Sequence, residues 1–391
     1  MMPSVTPLAV ADVTPGTPLA PLTALSVRDA TSEDNAALLE ITAACPMEGD
    51  VSLCIDRAPD FFALNRLEGE RWRVAVVEHA HGSPVGCIAA TSRRAWLDGR
   101  VAEVGYLSDF KVVPGHRGGR AADALAFHAR DAMREWLGDD APVFLTILDG
   151  NCAMERRARG PRGVPSLRRF ATLRSHSIPL LWRRRPPDQP SMRVERGSAA
   201  AVEEMIALWS RVAPRRQLAP VFDAESFAAW IAAAPGLDLS HYLLARDGSG
   251  RLAGFIAFWD QQSFKQLRVL RYSARLGAAR HLVNAIARVG GGVPLPGPGK
   301  PLRYATALHA CVPEGRADVL RALVLAAYEA HREEHYAFLT VGLDAWDPLS
   351  AALGGLLAQP TDVGAYVSSA RGAYDGPPLD SRPLHFEIAL V

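Results

Sequence analysis

The chain has 391 residues, roughly two to three times the usual domain length, so two domains are expected. With 49% hydrophobic and 22% charged residues it is globular, which excludes a collagen-like, mainly disordered or disulfide-scaffold chain. Forty-three basic against 42 acidic residues leave a formal charge of +1, so no whole-molecule field draws it to nucleic acid or anionic membrane, and a basic site would have to be local.

Five cysteines (Cys45, Cys54, Cys87, Cys152, Cys311), odd in number and without a CxxC pair, argue against disulfides or a cysteine zinc site and fit a reducing cytoplasm. No apolar run reaches the roughly 18 residues of a membrane span, and the N-terminus lacks the pattern of a secretory signal. A cytoplasmic protein with no nucleic-acid, membrane or metal partner is expected, and a homodimer is admitted.

Residues 1–24, rich in Pro, Thr, Ala and Val without periodicity, read as a disordered tail. Leu25 to Arg28 reads as a strand, and Thr31, Ser32 or Asp34 caps a helix with Ala37, Leu38, Ile41 and Ala44 on one face. Trp72 to Glu78, Val85 to Thr91 and Val101 to Val113 read as strands of an antiparallel meander, with turns at 81–84 and Asp98-Gly99. From Ala122 to Leu137 the apolar residues recur at helical spacing. Pro142 to Leu148 follows as a strand parallel to the last, then a short helix from Asn151 and closing strand structure over Phe170 to Trp182.

The charged, proline-rich stretch 183–191 marks a linker between an N-terminal domain, 25–182, and a C-terminal domain, 192–391. The element order then restarts: a helix over Val202 to Trp209, a hairpin of Tyr242 to Arg246 with Leu252 to Trp259, a strand over Leu302 to Val312, a long helix from about Ala317 and a strand from Phe338 to Leu343. Gly86-Cys87-Ile88-Ala89-Ala90 matches Gly254-Phe255-Ile256-Ala257-Phe258, and Val113-Pro114 matches Val312-Pro313, so the fold reads as duplicated. The Gly/Pro-rich loop 289–300 has no counterpart in the first copy and reads as a surface excursion.

The chemically informative stretch is 110–122, Phe-Lys-Val-Val-Pro-Gly-His-Arg-Gly-Gly-Arg-Ala-Ala. A strand entering a glycine-rich loop that opens a helix gathers unpaired backbone N–H groups and the helix's positive end, which suits a phosphate as well as it suits a plain structural turn. Strand, helices, meander, then Val-x-Pro-x-x-Arg-Gly-x-x-x-Ala before a helix resembles the GCN5-related N-acetyltransferases, well over 25–182 and weakly over 192–391. Arg117 fits the first place of the family's Gln/Arg-x-x-Gly-x-Gly/Ala loop and Ala122 the last, while Arg120 stands at the central glycine. Asn151 matches the family's asparagine near the pantetheine arm.

The resemblance implies an α/β fold of two tandem acetyltransferase-like domains, each a mostly antiparallel twisted sheet with a splayed pair of parallel central strands. It implies transfer of an acetyl group from acetyl-CoA, the co-substrate, to a small-molecule or peptide amine. The matching cofactor-binding positions are Phe110, Lys111, Val112, Arg117, Gly118, Gly119, Arg120, Ala121, Ala122 and Asn151. The N–H of Phe110 is the implied partner of the thioester carbonyl, worth about 3 kcal/mol as charge develops there.

For the base, Glu103 lies roughly 23 Å along the strand from Phe110, so Asp109 is the candidate, re-aimed by the β-bulge that the family has in this strand. The family's usual acid, a tyrosine seven residues after Asn151, is replaced by Ala158, leaving Tyr106 as a substitute. Glu48, Asp50 and Arg57 sit where the family frames its acceptor pocket or merely connects helices. Ten arginines from Arg156 to Arg185 without an acid steer CoA phosphates or form a solvated face. In the second copy Glu314 and Asp318 stand where a phosphate would sit, so no CoA is expected there. Cys152, lacking a base, reads as inert. His331 and His335 fit a zinc spacing but close a helix, and His309 with Cys311 falls short of a ligand set. Two rival readings are a non-catalytic acyl-CoA-binding protein and an aminoacyl or peptidyl transferase of duplicated acetyltransferase fold.

Overall fold

The computed structural model describes residues 25–49, 51–79, 82–117, 119–158, 166–184 and 192–391; the expected tail and linker residues 185–191 lie outside the described residues. The first half runs β1 (Leu25–Asp29), α1 (Asn35–Ala43), β2 (Val51–Asp56), α2 (Asn65–Glu68), β3 (Arg71–His79), β4 (Pro84–Leu97), β5 (Arg100–Val112), α3 (Arg120–Leu137), β6 (Val143–Leu148), α4 (Cys152–Ala158) and β7 (Arg168–Pro179). Thr31 supplies the expected cap: its hydroxyl accepts from the Glu33 N–H while Asp34 accepts from the Thr31 N–H. The meander pairs antiparallel as expected, and its tight turn uses Asp98 and Gly99 at φ 50° and 76°, both left-handed as such a hairpin requires.

The second half runs β8 (Met192–Arg196), α5 (Val202–Val212), α6 (Ala224–Ala233), β9 (Tyr242–Asp247), β10 (Leu252–Trp259), β11 (Gln266–Tyr272), α7 (Ala274–Gly290), β12 (Tyr304–Cys311), α8 (Ala317–Glu333), β13 (Phe338–Asp344) and β14 (Gln359–Ser368). Sequence patterning passes over β2, α2, β8, α6, β11, α7 and β14. Strands β2 and β11 form a separate antiparallel pair, so an arm inserted between β10 and β12 clasps the first half.

All other strands form one twelve-stranded sheet in the order β1-β3-β4-β5-β6-β14-β7-β13-β12-β10-β9-β8. Each half thus has the expected mixed sheet, but the two join edge to edge and exchange their last strands. β14 pairs with β6 of the first half, and β7 pairs with β13 of the second. The boundary at 183–191 therefore divides the sequence without dividing the sheet.

Helices cover both faces. In the first half Leu125 and Ala129 of α3 pack on Val77 and Ile88, while Leu38 and Ile41 of α1 pack on Val74 and Val76 from the other side. In the second, α8 (Leu320, Leu323, Val324) and α5 (Met205, Trp209) take the same places. Each such buried side chain contributes about 2 kcal/mol. The matched glycines are equivalent: a Cβ on Gly86 would meet the Lys111 carbonyl at 2.7 Å, and one on Gly254 the Cys311 carbonyl at 3.1 Å. Only glycine lets the neighbouring strand pass so closely.

Candidate active site

β5 and β6 pair in parallel only at Gly105–Val143, Tyr106–Phe144 and Leu107–Leu145. Beyond Leu107, β5 continues to Val112 on β4 alone, and beyond Leu145, β6 continues to Leu148 on β14 alone. The two edges part there, and among the described residues neither has a strand partner on the side that faces the other. On the β4 side the register slips between Cys87 and Ala89, so Asp109 and Phe110 stand opposite the single residue Ile88. This is a β-bulge, with Asp109 at φ 50°. It turns main-chain groups at Asp109 and Phe110 out of the ladder, in the strand where the resemblance implied a bulge.

At the far end of the cleft the chain makes a turn at Pro114–His116 and enters α3. Gly119 is the N-cap residue and offers no side chain, so the N–H groups of Arg120, Ala121 and Ala122 start the helix without a capping oxygen. Arg117 folds back, its Nε donating to the Val112 carbonyl at 3.0 Å. Gly118 lies outside the described residues. Asn151 sits at the mouth of the second wall, where its side chain accepts from the Met154 N–H at 3.3 Å and caps α4. From α4, Arg157 reaches across to pair with Asp123 and to lie over the Phe110 ring at 5.5 Å. A bare helix start, a bulge and a splayed strand pair together fit the thioester cofactor that the loop suggests.

The bulge aims Asp109 away from proton-transfer work. Its carboxylate is paired with Arg57 and, at 2.6 Å, with Lys111, and Asn65 donates to it at 3.4 Å. Burial alone would raise its pKa, but the two cations hold it well below the usual carboxylate range. A carboxylate so held accepts a proton poorly. Arg57 is thereby committed to Asp109 and the Phe61 carbonyl. Glu48 bonds Ser52 and Arg271 across the arm, and Asp50 is outside the described residues. Glu103 is on the surface with Arg71.

A different carboxylate faces the site. Glu68, at the end of α2, is 4% exposed and accepts from the Ser108 hydroxyl at 2.9 Å, one residue before the bulge. Burial, reinforced by the negative charge of Asp109, pushes its pKa up to about 7. Glu68 lines a cavity of about 50 Å³ together with Arg93, Tyr106, Phe144, Phe170 and the final segment Leu384–Val391. Tyr106 bridges the fork, its hydroxyl bonded to Thr146 at 3.0 Å, and burial raises its pKa so that it stays protonated. The Arg93 Nε is buried without a partner among the described residues. Nothing in the local pattern announces Glu68 except its company: an acid beside Leu64 and Leu67 on a buried turn.

The second copy repeats the geometry with other chemistry. β12 and β13 part after Thr306, and the register slips at the equivalent place, with His309 at φ 50°. There the His309 N–H donates to both Glu387 oxygens, at 3.1 and 3.0 Å, and His385 Nε2 donates to Glu387 at 2.6 Å. Burial opposes the charge on Glu387, but His385 and His309 hold it at about 2. In this copy the N–H of the first bulge residue, His309 at the place of Asp109, is thus bonded to a carboxylate. Asp318 pairs with Arg316 at its helix start. His331 Nδ1 donates to Ala327 and His335 has left the helix at φ 65°. Among the described residues no group of three or more His, Cys, Asp or Glu could hold a metal ion, and no helix is long and apolar enough to cross a membrane.

No protein-family model matches the sequence, and no curated protein matches it. Solved structures do resemble it. A GCN5-related N-acetyltransferase from Sphaerobacter thermophilus superposes with a TM-score of 0.58 at 14% identity, over 91% of this chain and 97% of that one. The Saccharomyces cerevisiae N-myristoyltransferase with bound myristoyl-CoA gives 0.61 at 12% identity, over 93% and 86%. A tandem GCN5-related protein from the clavulanic acid biosynthesis pathway gives 0.53 at 15% identity, over 90% and 99%. With two bulged, forked half-sheets joined through exchanged strands, the chain has the tandem fold of the GCN5-related N-acetyltransferase superfamily.

Proposed function

We propose that the chain transfers an acyl group, acetyl in the first instance, from acyl-CoA to a primary amine at the first-half cleft. The observation that carries this reading is a buried carboxylate tuned near neutrality, Glu68, which lines a small cavity at the β5/β6 fork and is bonded to Ser108, one residue before the bulge at Asp109–Phe110. The α3 start, with Arg120, Ala121 and Ala122 presenting N–H groups, would take the pyrophosphate. The β5 edge from Phe110 to Val112 would pair with the pantetheine, and the Phe110 N–H would meet the thioester oxygen.

Glu68 rather than Asp109 is the proposed base. It takes the proton of the incoming ammonium, the amine forms the C–N bond at the thioester carbon, and the C–S bond breaks as the oxyanion collapses. Tyr106, protonated at working pH, is the proposed donor to the departing thiolate. Asp109, Arg57 and Lys111 act as a fixed charge cluster that positions the bulge and raises Glu68. Acetyl is favoured over long acyl groups because the cavity of about 50 Å³ offers the room of one or two water molecules. The second copy, with Asp318 at its helix start and Glu387 bonded at its bulge, is assigned a supporting role.

The test is calorimetric titration with acetyl-CoA followed by thiol release with a panel of primary amines. Saturable binding with amine-dependent thiol release supports the reading. Absence of binding up to about 1 mM, a free energy of only about −4 kcal/mol, removes it, and binding without turnover on any amine leaves a non-catalytic acyl-CoA binder.

A further inference from the structure

The near-neutral total charge conceals a polarised surface. Residues 261–313 contain eight Lys and Arg and no Asp or Glu, where the chain's average composition would place about six acids. Within this run Arg268 pairs with Asp56, Arg271 with Glu48, and Arg280 donates to the Pro296 carbonyl. Arg275 and Arg288 of α7 have no ion-pair partner among the described residues.

α7 is itself unusual. Ser273 caps its start, accepting from the Leu276 N–H at 3.3 Å, and Gly291 ends it at φ 74°. Its inner side rests on the arm through Asn284 and Ala287, and Asn284 fixes the following loop by two bonds to Leu295. Its outer side carries Leu282, Ile286 and Val289, at 66%, 42% and 92% exposure. The spacing of four and three puts them on one stripe, flanked by exposed alanines and by Arg275 and Arg288. A solvated helix face normally carries acids and amides; this one has none.

The stripe continues off the helix. Gly290 is pressed against the chain at Leu181–Trp182, since a Cβ there would lie 2.1 Å from the Leu181 carbonyl and 3.3 Å from the Trp182 Cα. Trp182 is 38% exposed, with the Arg184 guanidinium over its ring. It belongs to the other acid-free stretch, 156–187. The fold has brought the two acid-free stretches together around one partly exposed tryptophan.

We infer that this face, α7 with Trp182, seats the protein on an anionic lipid surface. Apolar side chains in the middle, arginines at the flanks and a tryptophan at the edge are the composition of an interfacial helix lying in the headgroup plane. Arginines without acids attract anionic headgroups and would repel the same face of a second copy. The attachment is peripheral and does not depend on the acyltransfer reading.

The test is co-sedimentation of the full chain with phosphatidylcholine vesicles, with or without about 30% phosphatidylglycerol. Binding to the anionic vesicles is expected at least roughly tenfold tighter than to the neutral ones. The Ile286→Glu, Val289→Glu variant should lose that binding, and Arg275→Glu, Arg288→Glu should lose the anionic preference. All four positions are exposed, and unchanged circular dichroism would report intact folding. Equal or absent binding to both vesicle types, or binding undiminished in both variants, overturns the proposal. So does a dimer in sedimentation velocity that the Ile286→Glu, Val289→Glu change dissolves, which would give the face to a second copy.

Discussion

Replacing Glu68 by glutamine keeps the shape and the acceptor for Ser108 while removing the charge. The carboxyl is raised from 4.5 to about 7 by burial and by Asp109, which corresponds to about 3 kcal/mol of destabilisation when it is ionised. Because the folded-state pKa lies above the unfolded one, this cost is fully present above pH 7, fades as pH falls and is gone below about 4.5. Glu68→Gln should therefore stabilise the fold at pH 8 by up to about 3 kcal/mol and leave it unchanged near pH 4.5. The same change should lower kcat/KM roughly 10²–10⁴-fold. The assays are denaturant midpoints at pH 8 and 4.5, and initial rates of thiol release. A variant within about threefold of wild-type activity would refute Glu68 as the base, and the absence of any gain at pH 8 would refute the burial argument itself.

The wild-type log kcat/KM should rise with slope one below about pH 7 and level off above it, a limb that Glu68→Gln abolishes; a pH–rate profile checks both. Gly119→Glu has room, the nearest atom to a Cβ being the His116 carbonyl oxygen at 3.7 Å. It should weaken acetyl-CoA binding by roughly tenfold or more, by setting a carboxylate where phosphate is proposed to sit, as titration calorimetry would register. Arg57→Ala leaves the buried Asp109 carboxylate with Lys111 as its one remaining ion-pair partner among the described residues and should cost about 3–5 kcal/mol in denaturant unfolding.

The loop was legible because it has a local signature, glycines before a helix and a proline fixing the turn, whereas the fork and the bulge were expected only through the resemblance that this loop carries. The repeat was legible from two glycines because their lack of a side chain answers to the same close strand contact in both copies. The pairing that holds Asp109 ionised was only half legible: Lys111 is two residues on in the same strand, but Arg57 lies 52 residues before it and no spacing rule connects the two. Glu68 went unseen for the complementary reason. Its pKa depends on burial under a C-terminal segment more than three hundred residues away, which is a tertiary fact. The strands β2 and β11 complete each other across the halves; β2 does alternate, Val51, Leu53 and Ile55 against Ser52, Cys54 and Asp56, but its partner lies more than two hundred residues on. α7 escaped notice because its exposed side is not polar.

The strand exchange also fixes the fate of the second copy. A descendant whose second half had lost all chemistry could not discard it, because β6 would then face solvent along the whole edge that β14 now covers. The debt runs both ways, since β13 borrows β7. Each half is therefore completed by a strand that the other lends, whatever chemistry either carries.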